Sequence, residues 1–309
     1  VSQPNRRSIL KHSAFLALAT ASANSVKALT QTQESPKCPI GFGSYGLPNT
    51  TAIQAIERVA AVGFDSIELA AMQGYHAAPD VLRPNDRDAL RSCLAKHDLR
   101  LGALMGLPNP AANQHASQNA WVQRLLDLAI DLCPEQPPLI QSVLGGGNWE
   151  DKKTLFCDAL GAWSELANQA NVRLAIKPHR GHAMSLPEHA IWLFEQLGNP
   201  SSLCMVYDPS HFAFRGLTLS DTVAESLPYT GYIVLKDAVQ ENGTVRFALP
   251  GEAGTIPHAA IIKQFLEGGY DGEVCCEVSS QLWRQDNYKP DQAIQVCFDN
   301  LTSIVNGPS

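Results

Sequence analysis

The sequence has no Cys-x-x-Cys pair, although it holds eight cysteines. That absence argues against a zinc ribbon or a dithiol redox motif. There is no low-complexity tract and no block of like charge, so neither a disordered linker nor a nucleic-acid-binding arm is indicated. Charge is sparse, at 17% of 309 residues, and the net balance is −7. Residues 1–28 contain Arg6, Arg7, Lys11 and Lys27 and no acid. Beyond them, 19 of the 23 basic residues face all 30 acids, a balance of −11. A body that acidic repels nucleic acid and anionic membrane surfaces. "GFGSYG" lacks the G-x-G-x-x-G spacing and the lysine-serine pair of phosphate-binding loops, which disfavours an open doubly wound nucleotide fold. The apolar run "AFLALATASA" is too short to span a bilayer as a permanent helix, so no stable membrane insertion is expected.

What is present begins with an address. "RRSILK" precedes that apolar run, and Ala21-Ser22-Ala23 forms a small-x-small cleavage site. The order basic, apolar, small reads as a signal peptide over residues 1–28. The twin arginine makes it resemble a twin-arginine export signal, which implies delivery of a folded protein to a bacterial periplasm. Such a protein folds in the reducing cytoplasm, so an even cysteine count need not mean disulfides. Cys204, Cys275 and Cys276 lie in apolar runs, where free cysteine behaves as a small hydrophobe.

From residue 38 to about 305, short apolar runs alternate with amphipathic ones. Strands are predicted at 40–45, 66–70, 100–104, 139–144, 173–177, 203–207, 232–236 and 273–278. A helix is predicted after each, at about 50–62, 86–97, 117–132, 152–170, 187–197, 218–226, 257–268 and 291–304. Eight strand-then-helix units in one α/β chain predict a (β/α)8 TIM barrel. Strands rich in Val, Ile and Leu suit a parallel sheet buried on both faces.

A barrel carries its active site at the C-terminal ends of its strands. That rule selects Glu68, Lys177, His179, Asp208, His211, Lys236, Asp237 and Glu277. Each has a plainer reading. Glu68 pairs with a neighbouring base, Asp208-Pro209-Ser210-His211 makes a simple turn, and Lys236-Asp237 forms a structural ion pair in the barrel mouth. Glu277, between Cys276 and Val278, is expensive to bury without a purpose. His182 and His189 read as loop and helix-cap residues. The glycines of "LGGGN" at 144–148 bring backbone close to a ligand or simply turn the chain.

The segments "AVGFDSIELA", "IKPHRGH", "VYDPSHF", "YIVLKD", "LPGEAGTIPHAAII" and "GGYDGEVCCEV" together resemble the xylose isomerase-like TIM-barrel family, which includes sugar phosphate isomerases/epimerases and endonuclease IV. The resemblance implies a carbohydrate substrate and a divalent metal, Mg²⁺, Mn²⁺ or Zn²⁺. It implies Asp208 and Glu277 as two of four metal ligands. It matches His211 to a histidine that contacts substrate, and His179 to one found two positions beyond the first ligand. Lys177 stands where the family's first ligand is a glutamate, and Val234 where the strand-seven ligand is a histidine. An ammonium cannot ligate a cation, and two carboxylates alone hold Mg²⁺ or Mn²⁺ weakly.

Three roles for Lys177 follow. It replaces the metal as the positive charge beside an enediolate oxygen while a proton moves next to a carbonyl, with Glu277 or His211 as the base and Asp208 orienting. Alternatively it forms a Schiff base with a keto sugar, giving lyase or aldolase chemistry. Or it marks an exported sugar-binding protein without catalysis. On each reading Glu68, His179 and Lys236 line the substrate pocket.

Overall fold

The computed structural model describes residues 38–307, so the signal expected over residues 1–28 lies outside the described residues. The first seven barrel strands are β1 (Ile40–Gly43), β2 (Ser66–Ala70), β3 (Arg100–Met105), β4 (Leu139–Ser142), β5 (Leu174–Ile176), β6 (Leu203–Tyr207) and β7 (Thr230–Leu235). An antiparallel hairpin follows, β8 (Asp237–Glu241) and β9 (Thr244–Ala248), and then the last barrel strand, β10 (Val274–Cys276). Strands consecutive in the barrel are hydrogen-bonded neighbours, all parallel, and β1 closes the ring on β10 with Gly41 opposite Cys275.

Each predicted helix is present: α1 (Ala52–Val62), α2 (Pro84–Lys96), α3 (His115–Leu132), α4 (Trp149–Ala170), α5 (Pro187–Gln196), α6 (Leu219–Ser226) and α7 (His258–Glu267), then the short α8 (Ser280–Trp283) and α9 (Pro290–Asn306). Local chemistry sets their ends. Thr51 and Gln54 form a reciprocal capping box at the start of α1. Proline opens α2, α5 and α9, where its missing N–H costs nothing. Gly63 ends α1 at φ +108°, a conformation that a side chain disfavours, and turns the chain into β2.

Two apolar bodies hold the barrel together. The larger lies between strands and helices and includes Ile56, Leu125, Phe156, Trp163, Leu193 and Phe265. The smaller fills the barrel itself: Ala103, Ala175, Cys204, Val206, Tyr232, Val234 and Cys275. Below it, Glu273 reaches across to Arg100 at 2.5 Å. Gly102 leaves the room, since a Cβ there would sit 1.8 Å from the Glu273 carboxylate. The two features that sequence patterning did not anticipate are the β8–β9 hairpin and α8, both inserted around the C-terminal ends of β7 and β10.

Candidate active site

Side chains alternate along a strand, so the residue two places beyond an inner one also faces inward. The inner cluster therefore projects a polar layer above itself. Ala175 leads to Lys177, Val206 to Asp208, Val234 to Lys236 and Cys275 to Glu277. Strand pairing runs on past the strand ends and fixes two of these backbones. The Lys177 N–H donates to the Ser142 carbonyl and the Glu277 N–H to the Leu235 carbonyl, each at 3.0 Å. Val234 thus sits one layer below Lys236, deep in the barrel.

Lys177, Asp208, Lys236 and Glu277 form one buried cluster, of which Glu277 is the most accessible at 8%. Lys177 Nζ donates to Glu277 Oε2 at 2.5 Å and lies 3.8 Å from Asp208 Oδ2. Lys236 Nζ donates to Asp208 Oδ2, to Glu277 Oε1 at 2.9 Å and to His211 Nε2 at 3.2 Å. Three acceptors use all three protons of the Lys236 ammonium. Among the described residues Lys177 has one acceptor within hydrogen-bond distance, which leaves two N–H groups to offer a ligand. Asp208 is further fixed at Oδ1, which accepts from the Ser210 N–H at 3.1 Å and the Ser210 hydroxyl at 2.6 Å. The Asp-Pro-Ser-His segment is accordingly a capped 3₁₀ turn that aims Asp208 and His211 into the site.

The charges decide the protonation states. Burial alone would lower Lys177, but the Glu277 and Asp208 carboxylates reverse it and hold the ammonium above its ordinary value. Burial would raise Glu277, and the two lysines overcome it, holding the carboxylate well below its usual range. Asp208 is lowered against its burial in the same way, by Lys236 and then Lys177. His211 is pushed far down by burial and by Lys236, and so is neutral. Its Nε2 accepts from Lys236, so the ring proton sits on Nδ1, which has no partner among the described residues. His179 is lowered to about 3 by burial and then by Lys236; its ring centroid lies 3.9 Å from that of His211 and 4.3 Å from that of His182.

Glu68 behaves differently. It lies within β2, at a register shift, rather than at the strand's end. Burial raises it to about 7, with Lys177 and a hydrogen bond from Gln141 Nε2 to Oε2 at 2.9 Å pulling the other way. It is the one carboxyl of the site poised to exchange a proton near neutrality.

Two expectations need correction. Lys236 and Asp237 do not form an ion pair: Lys236 turns inward to Asp208 and Glu277, as alternation demands. Asp237 turns outward, accepting from the Ala253 and Gly254 N–H groups at 2.9 and 3.0 Å. And Glu277, paired with two ammonium groups and held low, is a poor general base. His189 belongs to the fold, stacked 4.3 Å from Trp149 and accepting the Ser185 N–H at 3.2 Å. Gly145 and Gly147, both at positive φ, turn the chain into Asn148, which caps α4.

Sequence reasoning missed Gln141 and Phe247. Gln141 interrupts an apolar strand two places beyond Leu139, a signal equal in kind to the one that selected Glu68. Phe247, on the unanticipated hairpin, lies over Lys236 with Nζ 5.2 Å from its ring centroid, and 5.3 Å from the His211 ring.

The profile of the xylose isomerase-like TIM barrel family matches residues 56–297. No curated protein matches the chain. Among solved structures, an IOLI protein with a binding zinc atom superposes with a TM-score of 0.72 at 19% identity, covering 87% of this chain and 98% of that one. A xylose isomerase-like TIM barrel protein from Mycobacterium smegmatis in complex with magnesium gives 0.67 at 17%, covering 87% and 96%. The 3-keto-D-glucoside 4-epimerase YcjR from E. coli gives 0.67 at 13%, covering 88% and 100%. With a closed eight-stranded barrel and a family match across most of its length, the chain belongs to the xylose isomerase-like TIM barrel family.

Proposed function

We propose that this chain is a sugar isomerase or epimerase in which the Lys177 ammonium takes the electrostatic role that a metal has elsewhere in the fold. The observation that carries the reading is the buried cluster of two lysines and two carboxylates at the strand ends, with two Lys177 protons unspent. Epimerases among the structural neighbours, YcjR and the D-psicose 3-epimerases, support a carbohydrate substrate.

Magnesium and zinc occur in neighbours, so the donor set here must be weighed against a cation. It does not fit one at this point. Of the site's three carboxyls, Asp208 and Glu277 are each already bound by ammonium, and burial raises Glu68 to about 7. A divalent ion between Asp208 and Glu277 would face two positive charges at close range.

The chain's own groups supply the chemistry. Moving a proton next to a carbonyl builds negative charge on that oxygen. The unspent Lys177 N–H groups receive it, in a water-poor site where such donors act strongly. The Nδ1–H of neutral His211 is a second unpaired donor. Glu68, with its value near 7, takes the proton and returns it. Asp208 and Lys236 hold the arrangement. Schiff-base chemistry needs a neutral amine, which the two carboxylates beside Lys177 oppose.

The test is proton exchange in D₂O at the carbon beside the carbonyl, followed by NMR over a panel of free and phosphorylated ketoses and aldoses. Exchange that survives exhaustive chelation and disappears in a folded Lys177→Met variant is the expected result. A requirement for added Mg²⁺, Mn²⁺ or Zn²⁺ sinks the metal-free reading. One observation favours the competing sugar-binding module: the four charges are nearly closed to solvent. Saturable sugar binding with no exchange on any substrate would establish that reading instead.

A further inference from the structure

Away from the barrel mouth, Glu57, Cys93 and His97 bring three different donor types together on the outside of the barrel. One ligand atom from each lies within 4.8 Å of the other two. Cys93 and His97 are four residues apart at the end of α2 and so share a helix face; Glu57 comes from α1 beside it. Cys93 is buried, His97 half-buried and Glu57 exposed, so the group opens to solvent on one side. The His97 Nε2 is buried without a hydrogen-bond partner among the described residues. A buried ring nitrogen left unpaired is costly, and its natural remedy is a ligand.

We infer that Glu57, Cys93 and His97 form a peripheral site for a zinc-like divalent cation. One sulfur, one nitrogen and one oxygen donor are the set that borderline-soft Zn²⁺ accepts, with water completing a tetrahedron. Hard Mg²⁺ and Ca²⁺ prefer all-oxygen shells and are poorly served by a thiolate and an imidazole. The cation would clip α1 to α2, and binding would release the thiol proton, so affinity rises with pH. The site is independent of the mouth cluster. Zinc recovered with the purified protein would therefore say nothing about a metal in the mouth until this site is removed.

Co²⁺ serves as the spectroscopic stand-in for zinc. The full chain is stripped by chelator, titrated with Co²⁺ and then with Zn²⁺. The expected result is one cobalt per chain with a thiolate-to-cobalt charge-transfer band and the intense visible bands of four-coordinate cobalt, all bleached by zinc. Cys93→Ser should abolish the charge-transfer band. Glu57→Gln, an exposed change that leaves the core intact, should weaken uptake. Lys177→Met should leave the spectrum unchanged. No charge-transfer band on the wild type, or a band of equal strength in Cys93→Ser, overturns the site. Uptake unaffected by Glu57→Gln would reduce it to adventitious cysteine and histidine binding and overturn it as well.

Discussion

Glu68 is where acidity and stability meet in one side chain. Its value is raised from 4.5 to about 7 because the barrel desolvates its charge. A folded-state value above the unfolded one means that the native protein holds this proton longer. The resulting stability is present below the unfolded carboxylate value, falls as pH rises toward about 7, and is gone above it. The amplitude is on the order of 3 kcal/mol. Glu68→Gln, which keeps the shape and cannot ionise, should flatten that part of the stability curve in denaturant titrations between those pH values. If Glu68 is also the proton-transfer base, exchange should rise with pH through about 7 in the wild type, and the variant should lose it. A Glu68→Gln protein with an unaltered pH–stability curve would show that the carboxyl titrates normally.

The hairpin β8–β9 shows which parts of the molecule sequence pattern reaches. Strand β6 ends where its apolar run ends, and α1 stops at Gly63, so periodicity and turn chemistry locate them. Lys177, Asp208, Lys236 and Glu277 were legible because each polar residue directly follows an apolar strand and a barrel gathers strand ends at one face. Their pairing was not legible. That Lys236 turns in and Asp237 out depends on the phase of alternation at the end of β7, which a two-residue motif does not reveal. The hairpin itself has short strands, "DAVQE" and "TVRFA", buried only at Asp237 and Ala238, and the signal that could have found it is the Asn242-Gly243 turn between them, both residues at positive φ. Asp237 is what moors it. Its Oδ2 accepts two backbone N–H groups and its Oδ1 the Thr255 hydroxyl at 3.3 Å, with His258 Nε2 also at 3.3 Å. Asp237→Ala strands those donors at a cost of about 1–3 kcal/mol. Amide exchange at Ala253 and Gly254 should accelerate, and Tm should fall. Unchanged exchange at those two amides would mean the segment is held by its other contacts.

For the molecule as a whole, the closed barrel does the work that disulfides do in small cross-linked domains. A ring of eight strands has no free edge, and its two apolar bodies need no covalent staple. All eight cysteines are free; Cys38, Cys93, Cys204, Cys275, Cys276 and Cys297 are buried, and Cys133 and Cys157 are half-buried. Burial raises the thiols of Cys38 and Cys204 to about 11, which keeps them protonated and slow to react. With all eight thiols free, the fold does not rest on a covalent cross-link. Tm should therefore be the same with and without reductant. The denatured chain should titrate all eight thiols with a disulfide reagent, whereas the native chain should yield Cys133 and Cys157 first. Zinc bound at Cys93 would protect that thiol during partial unfolding and slow its modification relative to the metal-free protein. Fewer than eight titratable thiols in freshly denatured protein, or a Tm that drops on reduction, would reveal a covalent cross-link that the barrel does not need.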